Sequence, residues 1–282
     1  MRGVTTLLEW GKRLEPGDSG MVAKIVEMLN QSNEMLVDMH WTKGNLPTGN
    51  RTTIRTGLPP AYWRQINQPA PAVKSRTAQV DEPCGLMEQW SEVDEELLAI
   101  NEDAQAFRLS EAYPILESMS QEAQRTLLYG GTSSVTPEQF PGLATRYNTT
   151  NRTIAQTAQN VIDAGGTGTD NTSIWVICWG DGKVSGIFPK NTMAGIQRKD
   201  FGLKTRDGVD ENGNPTIMAV YREQFKWRLG LMAQDWRYAV RIANIDVGDL
   251  NSGGENAPDI ITQLTKAFYR CLLYTSPSPR DS

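Results

Sequence analysis

The 282-residue chain is poor in the side chains that carry most enzyme chemistry. It has one histidine, His40, so a Ser-His-Asp triad has a single possible base and a multi-histidine metal site has none. His40 stands beside Trp41 at the end of an amphipathic run, the ordinary setting of a boundary residue. Three cysteines, Cys84, Cys178 and Cys271, sit at no metal-ligand spacing and do not suggest a disulfide framework. No run approaches the ~20 apolar residues of a membrane helix. Glu9, Lys12 and Arg13 interrupt the N-terminus, which therefore has no signal-peptide core, and the Asn-X-Ser/Thr matches read as chance. A net charge of −5 argues against a general nucleic-acid binder.

What the chain does have is charge in blocks. Trp41 to Val80 carries six cations (Lys43, Arg51, Arg55, Arg64, Lys74, Arg76) and no carboxylate, whereas Asp81 to Asp103 carries nine carboxylates and no cation. The plain reading is two solvated faces. The sharper one is self-assembly, because opposite blocks on neighbouring copies attract and fix register. It pairs Arg51, Arg55, Lys74 and Arg76 of one copy with Glu92, Asp94, Glu95, Glu96, Glu102 and Asp103 of the next.

Periodicity predicts helices over residues 7–14 and 21–39. Residues 41–80 hold five prolines and three glycines without a long periodic run. Arg51–Thr56 and Val73–Val80 alternate like strands, so the segment reads as an arm-like basic hairpin with little core of its own. A long helix is expected from Glu92 to Tyr129, with a kink or break near Tyr113 where Pro114 removes a donor from the Ser110 carbonyl. Ser173–Trp179 and Val184–Phe188 flank Gly180–Lys183 as a β-hairpin. Strands follow at Ile217–Tyr221, Phe225–Leu231 and Trp236–Ile245, and Asn256 caps a helix near Ala257-Pro258.

Possible catalytic motifs do not survive inspection. Gly165–Asp170 lacks the Lys-Ser/Thr of a phosphate loop and precedes a strand, so it reads as a turn. Asp94-Glu95-Glu96 could supply paired carboxylates for a hydrolase, but helical neighbours one and two apart point in different directions. The eight tryptophans could suggest a carbohydrate- or surface-binding module, yet Trp175, Trp179, Trp227 and Trp236 fall in strand patterns where aromatics serve as core. Residues 271–281, CLLYTSPSPRD, resemble the translation of a sequencing adapter. This predicts a non-native tail over residues 271–282 and a natural protein that continues beyond Arg270.

The blocks LLEWGKRLEP (Leu7–Pro16), GNLPTGNRTTIRTGLP (Gly44–Pro59), GLATRYN (Gly142–Asn148), DAGGTGTDNTSIWVICWG (Asp163–Gly180) and DWRYAVRIANID (Asp235–Asp246) resemble, in order, the major capsid proteins of short-tailed bacteriophages related to phage epsilon-fifteen. The resemblance implies an α+β, Hong Kong 97-type capsid fold. Its expected parts are N-terminal arm helices (1–40), an extended loop (41–82), a peripheral domain with a long spine helix and antiparallel sheet (83–250), and the start of a largely missing axial domain (251–270). It also implies a non-enzymatic shell protein without cofactor or metal, in the virion, assembled in the host cytoplasm as hexamers and pentamers. A cementing protein, a portal and packaged DNA bound without sequence specificity are the further implied partners, with no membrane.

Overall fold

The computed structural model describes residues 34–57, 59–69, 71–100, 103–132, 135–209, 214–248 and 259–275. In chain order the elements are α1 (Glu34–Asp38), β1 (Trp41–Lys43), β2 (Gly49–Gly57), β3 (Arg76–Asp94), α2 (Glu95–Ile100), α3 (Ala104–Tyr129), α4 (Leu143–Arg146), β4 (Val161–Asp163), β5 (Asn171–Ile177), β6 (Val184–Phe188), β7 (Gln197–Val209), β8 (Pro215–Ala233), β9 (Ala239–Asp246) and α5 (Ile260–Thr275). The helix expected over 7–14 lies outside the described residues. Of that expected over 21–39, α1 is the described part. The chain divides into two compact units. The first includes residues 86–125 and 195–228; the second includes residues 38–85 and 126–194 and continues from Leu229.

In the first unit, Val93 of β3, Leu98 of α2 and Phe107 of α3 form a core on which Ala104 and Tyr221 pack. The expected helix from Glu92 is corrected here: β3 runs through Asp94, and helix starts at Glu95. Ser91 and Val93 are buried while Trp90 is exposed, the alternation of a strand. The Asp103 carboxylate then accepts the amides of Gln105 and Ala106 at 3.1 and 2.9 Å and starts α3. Pro114 does not break α3, which stays helical from Ala104 to Tyr129. Both Tyr113 and Pro114 are exposed, so the carbonyl that loses its N–H partner is on a side water can serve. Strands β7 and β8 pair antiparallel from Gln197↔Lys226 to Val209↔Pro215. A bulge between Asp200 and Leu203 places Gly202 at φ +67°. The two strands expected over Ile217–Leu231 are one, because the polar run Arg222-Glu223-Gln224 between them stays in the ladder.

In the second unit, β4, β9 and β5 form a three-stranded sheet in that order. Ile162, Val240, Ile242 and Ile245 of this sheet pack with Ala267 and Cys271 of α5. The predicted β5–β6 hairpin does not form. β5 pairs with β9, whereas β6 pairs antiparallel with β8 (Val184↔Ala233 to Ile187↔Gly230) and parallel with β1. The turn itself is present, with Gly182 at φ +72°, but the chain leaves it for a different sheet. Ile174 and Val176 pack in the α5 core and Val184 and Ile187 are fully buried; an isolated two-stranded ribbon would leave such faces wet. Trp236 opens a short 3-10 turn instead of a strand. Asn256 lies outside the described residues, and Asp259 caps α5 by accepting the Thr262 amide at 3.0 Å. Cys271, set aside with the tail in the sequence reading, is buried in the core. The helical spacing of Ile260, Leu264, Ala267 and Cys271 accounts for this, since all four fall on one side of α5.

Candidate assembly interface

Strands β2 and β3 pair antiparallel from Gly49↔Pro83 to Gly57↔Arg76, so the basic segment does build a hairpin. It is shorter than residues 41–80, because the chain up to Thr52 is built into the second unit. β1 lies alongside β6, and Asn50 is buried with its amide donating to Thr52 Oγ1 at 2.7 Å and to Met232 Sδ at 2.9 Å. Asn45 binds the outer side of β2: its Nδ2 donates to the Arg51 carbonyl and its Oδ1 accepts the Arg51 amide, both at 2.8 Å. On the other strand Glu82, buried, accepts both terminal nitrogens of Arg146 at 2.6 and 2.5 Å. This bidentate pair fastens the base of the hairpin to α4.

Beyond the base, residues 59–69 and 71–74 are exposed and lack regular structure. Prolines 59, 60, 69 and 71 withhold donors there, so no ladder continues. Apolar groups stand in water along the stretch: Tyr62 is 56%, Trp63 105%, Ile66 89% and Val73 47% exposed.

The sequence-predicted contact residues are not brought together within one chain. Arg51 pairs with Asp81 across the hairpin at 2.6 Å, both side chains half exposed. Its guanidinium holds the Asp81 carboxyl below the usual carboxylate range. Arg55 and Arg76 lie on β2 and β3 with side chains outside the described set, and Lys74 is exposed. Glu92 is bridged by Arg206 at 2.8 Å and Arg222 at 2.6 Å. Asp94 accepts the Glu96 amide at 3.0 Å and Asp103 caps α3. Glu95 is half-buried, Glu96 exposed, and Glu102 lies outside the described residues.

Four of the nine carboxylates of the acidic run, Asp81, Glu82, Glu88 and Glu92, are matched by cations of their own chain, all but Arg51 missed by sequence reasoning. Lys226 and Gln224 reach Glu88 at 3.3 and 2.6 Å. Glu223, almost fully buried, binds Arg198 through two 2.7 Å bonds and also Arg108. Arg108 bonds Asp200 as well, at 2.7 Å. Burial pushes the Asp200 carboxyl up, but the Gly202 amide and Arg108 outweigh it and hold it below the usual range. One signal was available: Glu82, Glu88 and Glu92 share parity, which on a strand puts them on one face.

A mainly apolar cavity of about 330 Å³ adjoins the hairpin base, lined by Val80, Tyr147, Ala155, Met232, Ala233 and Trp236, with Thr52, Glu82, Arg146, Gln156, Thr157 and Gln234 adding polar groups to its wall. Among the described residues no three His, Cys, Asp or Glu side chains are grouped to hold a metal ion.

Comparison with known proteins places this geometry. No curated protein sequence matches the chain. A solved structure of bacteriophage epsilon15, derived from cryo-EM and modelling, is 32% identical, covers 95% of this chain and 78% of its own, and has a TM-score of 0.71. The capsid of a native GTA particle (9% identity, 83% of this chain and 96% of its own, TM-score 0.52) shares the fold. So does a structure from Microbacterium phage Oxtober96 (12% identity, 84% and 98%, TM-score 0.52). The fold is therefore of the Hong Kong 97 type. The family model described as major capsid protein GP7 matches residues 17–276. The chain belongs to the GP7 family of major capsid proteins, the structural proteins that self-assemble into the phage head shell.

Proposed function

We propose that the chain forms hexamers and pentamers in which the arm beyond Thr52 and Val80 lies across a neighbouring copy, and that it does so as a purely structural subunit. The observation that carries this reading is the exposed, proline-rich pair of stretches 59–69 and 71–74. It has no ladder or core of its own, while the base of its hairpin is fixed by Glu82–Arg146 and Arg51–Asp81. Such a segment gains burial when a second surface covers it. The basic side chains Arg51, Arg55, Lys74 and Arg76 add attraction toward the acidic positions Glu92, Asp94, Glu95, Glu96, Glu102 and Asp103 of the neighbour, of which Glu92, Asp94 and Asp103 are also committed within their own chain. The shell assembles in the host cytoplasm with a portal and a cementing protein, and its inner face touches DNA without reading its sequence.

The test is a variant in which residues 59–75 are replaced by a short Gly-Ser turn. Circular dichroism of the monomer should be unchanged, and electron microscopy should find no closed shells. Normal shells from this variant would remove the arm from assembly.

A further inference from the structure

The arm carries two kinds of group that could hold it to a neighbour, cations and aromatics, and the structure separates them. Part of the acidic run, four of its nine carboxylates, is already matched within the chain. Asp81, Glu82, Glu88 and Glu92 each bind a cation of their own chain. An incoming cation would compete with partners already in place, and exposed pairs are weak and screened by salt. The aromatics have no partner surface yet. Trp63 is fully exposed, and Tyr62 and Ile66 beside it are more than half exposed. Each aromatic can bury roughly 150–250 Å². Two on one short stretch therefore reach the few-hundred-Å² patch size at which an exposed apolar surface marks an interaction site.

The receiving chemistry is on the same chain. The 330 Å³ cavity is at the small end of the roughly 300–1,000 Å³ that encloses compact ligands, of a size for one indole. Val80, Tyr147, Met232 and Trp236 give it apolar walls. Arg146 also lines it, its terminal nitrogens bonded to Glu82. Trp63 does not fill this cavity in its own chain, since its side chain is wholly in water.

We infer that Trp63 of one copy seats in the Val80–Tyr147–Met232–Trp236 cavity of a second copy, so that the arm's main anchor is apolar and its cations set approach and register. The inference rests on the proposal that the arm lies across a neighbour. Each subunit donates one arm and receives one, so a single anchor governs the free energy of adding a subunit.

The experiment measures the critical concentration for assembly by light scattering, for the full chain and for Trp63→Ala, Trp63→Phe, Ala155→Trp and the Trp63→Ala/Ala155→Trp double variant. Circular dichroism checks each monomer. Ala155 lines the cavity and contributes no polar side-chain group, so Ala155→Trp fills it from within. Trp63→Ala and Ala155→Trp should each raise the critical concentration roughly 30-fold, the size of an interface hot spot. The double variant should be no worse than either, Trp63→Phe should recover part of the loss, and 1 M salt should leave the ratios unchanged. Normal assembly by Trp63→Ala overturns the inference. So does an Ala155→Trp effect that multiplies with that of Trp63→Ala, which gives the cavity another occupant. If removal of residues 59–75 abolishes shells while Trp63→Ala does not, the arm's role stands and the aromatic anchor fails.

Discussion

Removing the Glu82 carboxylate should loosen the hairpin base by an amount the structure allows to be worked out. The Arg146 side chain is 20% exposed and that of Glu82 5%. In Glu82→Ala both terminal nitrogens lose their short bonds, and the remaining contact from Nη2 to the Leu231 carbonyl, at 3.4 Å, is too long to replace them. Stripping one partner from a buried pair costs about 3–5 kcal/mol, and the residual exposure of Arg146 sets the expectation near ~3. Replacing both, as Glu82→Leu with Arg146→Met, leaves no stranded charge and should cost less than ~1 kcal/mol. Urea unfolding followed by circular dichroism and tryptophan fluorescence is the assay. With an m-value of about 3 kcal/mol/M, the single variant should lose roughly 1 M in midpoint and the double variant less than ~0.3 M. Amide exchange at Thr52 and Val80 should speed up in the single variant alone. Equal midpoint losses in the two proteins would refute the argument, since the damage would then come from lost volume and not from an unpaired guanidinium.

Two further outcomes follow from local geometry. Pro114→Ala should raise stability by about 1–3 kcal/mol, because α3 is already continuous and the change restores one donor on an exposed face; a lower unfolding midpoint would contradict this. Arg51→Gln should raise the Asp81 titration followed by carboxyl NMR toward the ordinary value near ~3.9. Since the folded value is depressed, this pair's contribution is present above the unfolded carboxylate value and fades as pH falls through the folded one; an unmoved titration would show that Arg51 does not hold the carboxylate.

The elements that sequence reading found are those with strong period. Phe225, Trp227, Leu229 and Leu231 alternate in the sequence and are all buried in β8, and the apolar spacing of Ile260, Leu264 and Ala267 appears on the inner side of α5. The basic and acidic runs were legible as runs, and the basic one as a hairpin. Their partners within the chain were not, because Arg146 lies 64 positions from Glu82 and Arg222 lies 130 from Glu92, separations that no local pattern spans. Glu92–Asp94 was assigned to helix since four residues of alternation cannot outweigh the long periodic stretch that follows. The β5–β6 turn was legible, but which sheet each flanking strand joins is decided by the burial of Ile174, Val176, Val184 and Ile187. The exposed tip, with Trp63, carried no periodic signal; its aromatics stand out only once the surrounding fold leaves them uncovered.

The Asn45 side chain has a consequence for how the subunit survives before it is used. A shell protein accumulates at high concentration, and a bare strand border invites stacking of one subunit on another through main-chain bonds, in any register and without closure. Arg51 would offer such a border a matched donor and acceptor. Asn45 occupies both with its carboxamide, imitating the peptide group of an adjoining strand. A stray extended chain arriving at this point meets an amide already satisfied, flanked by the charged side chain of Arg51. Disordered fibrous growth is thereby disfavoured at the root of the arm, and the supply of subunits stays available for ordered construction.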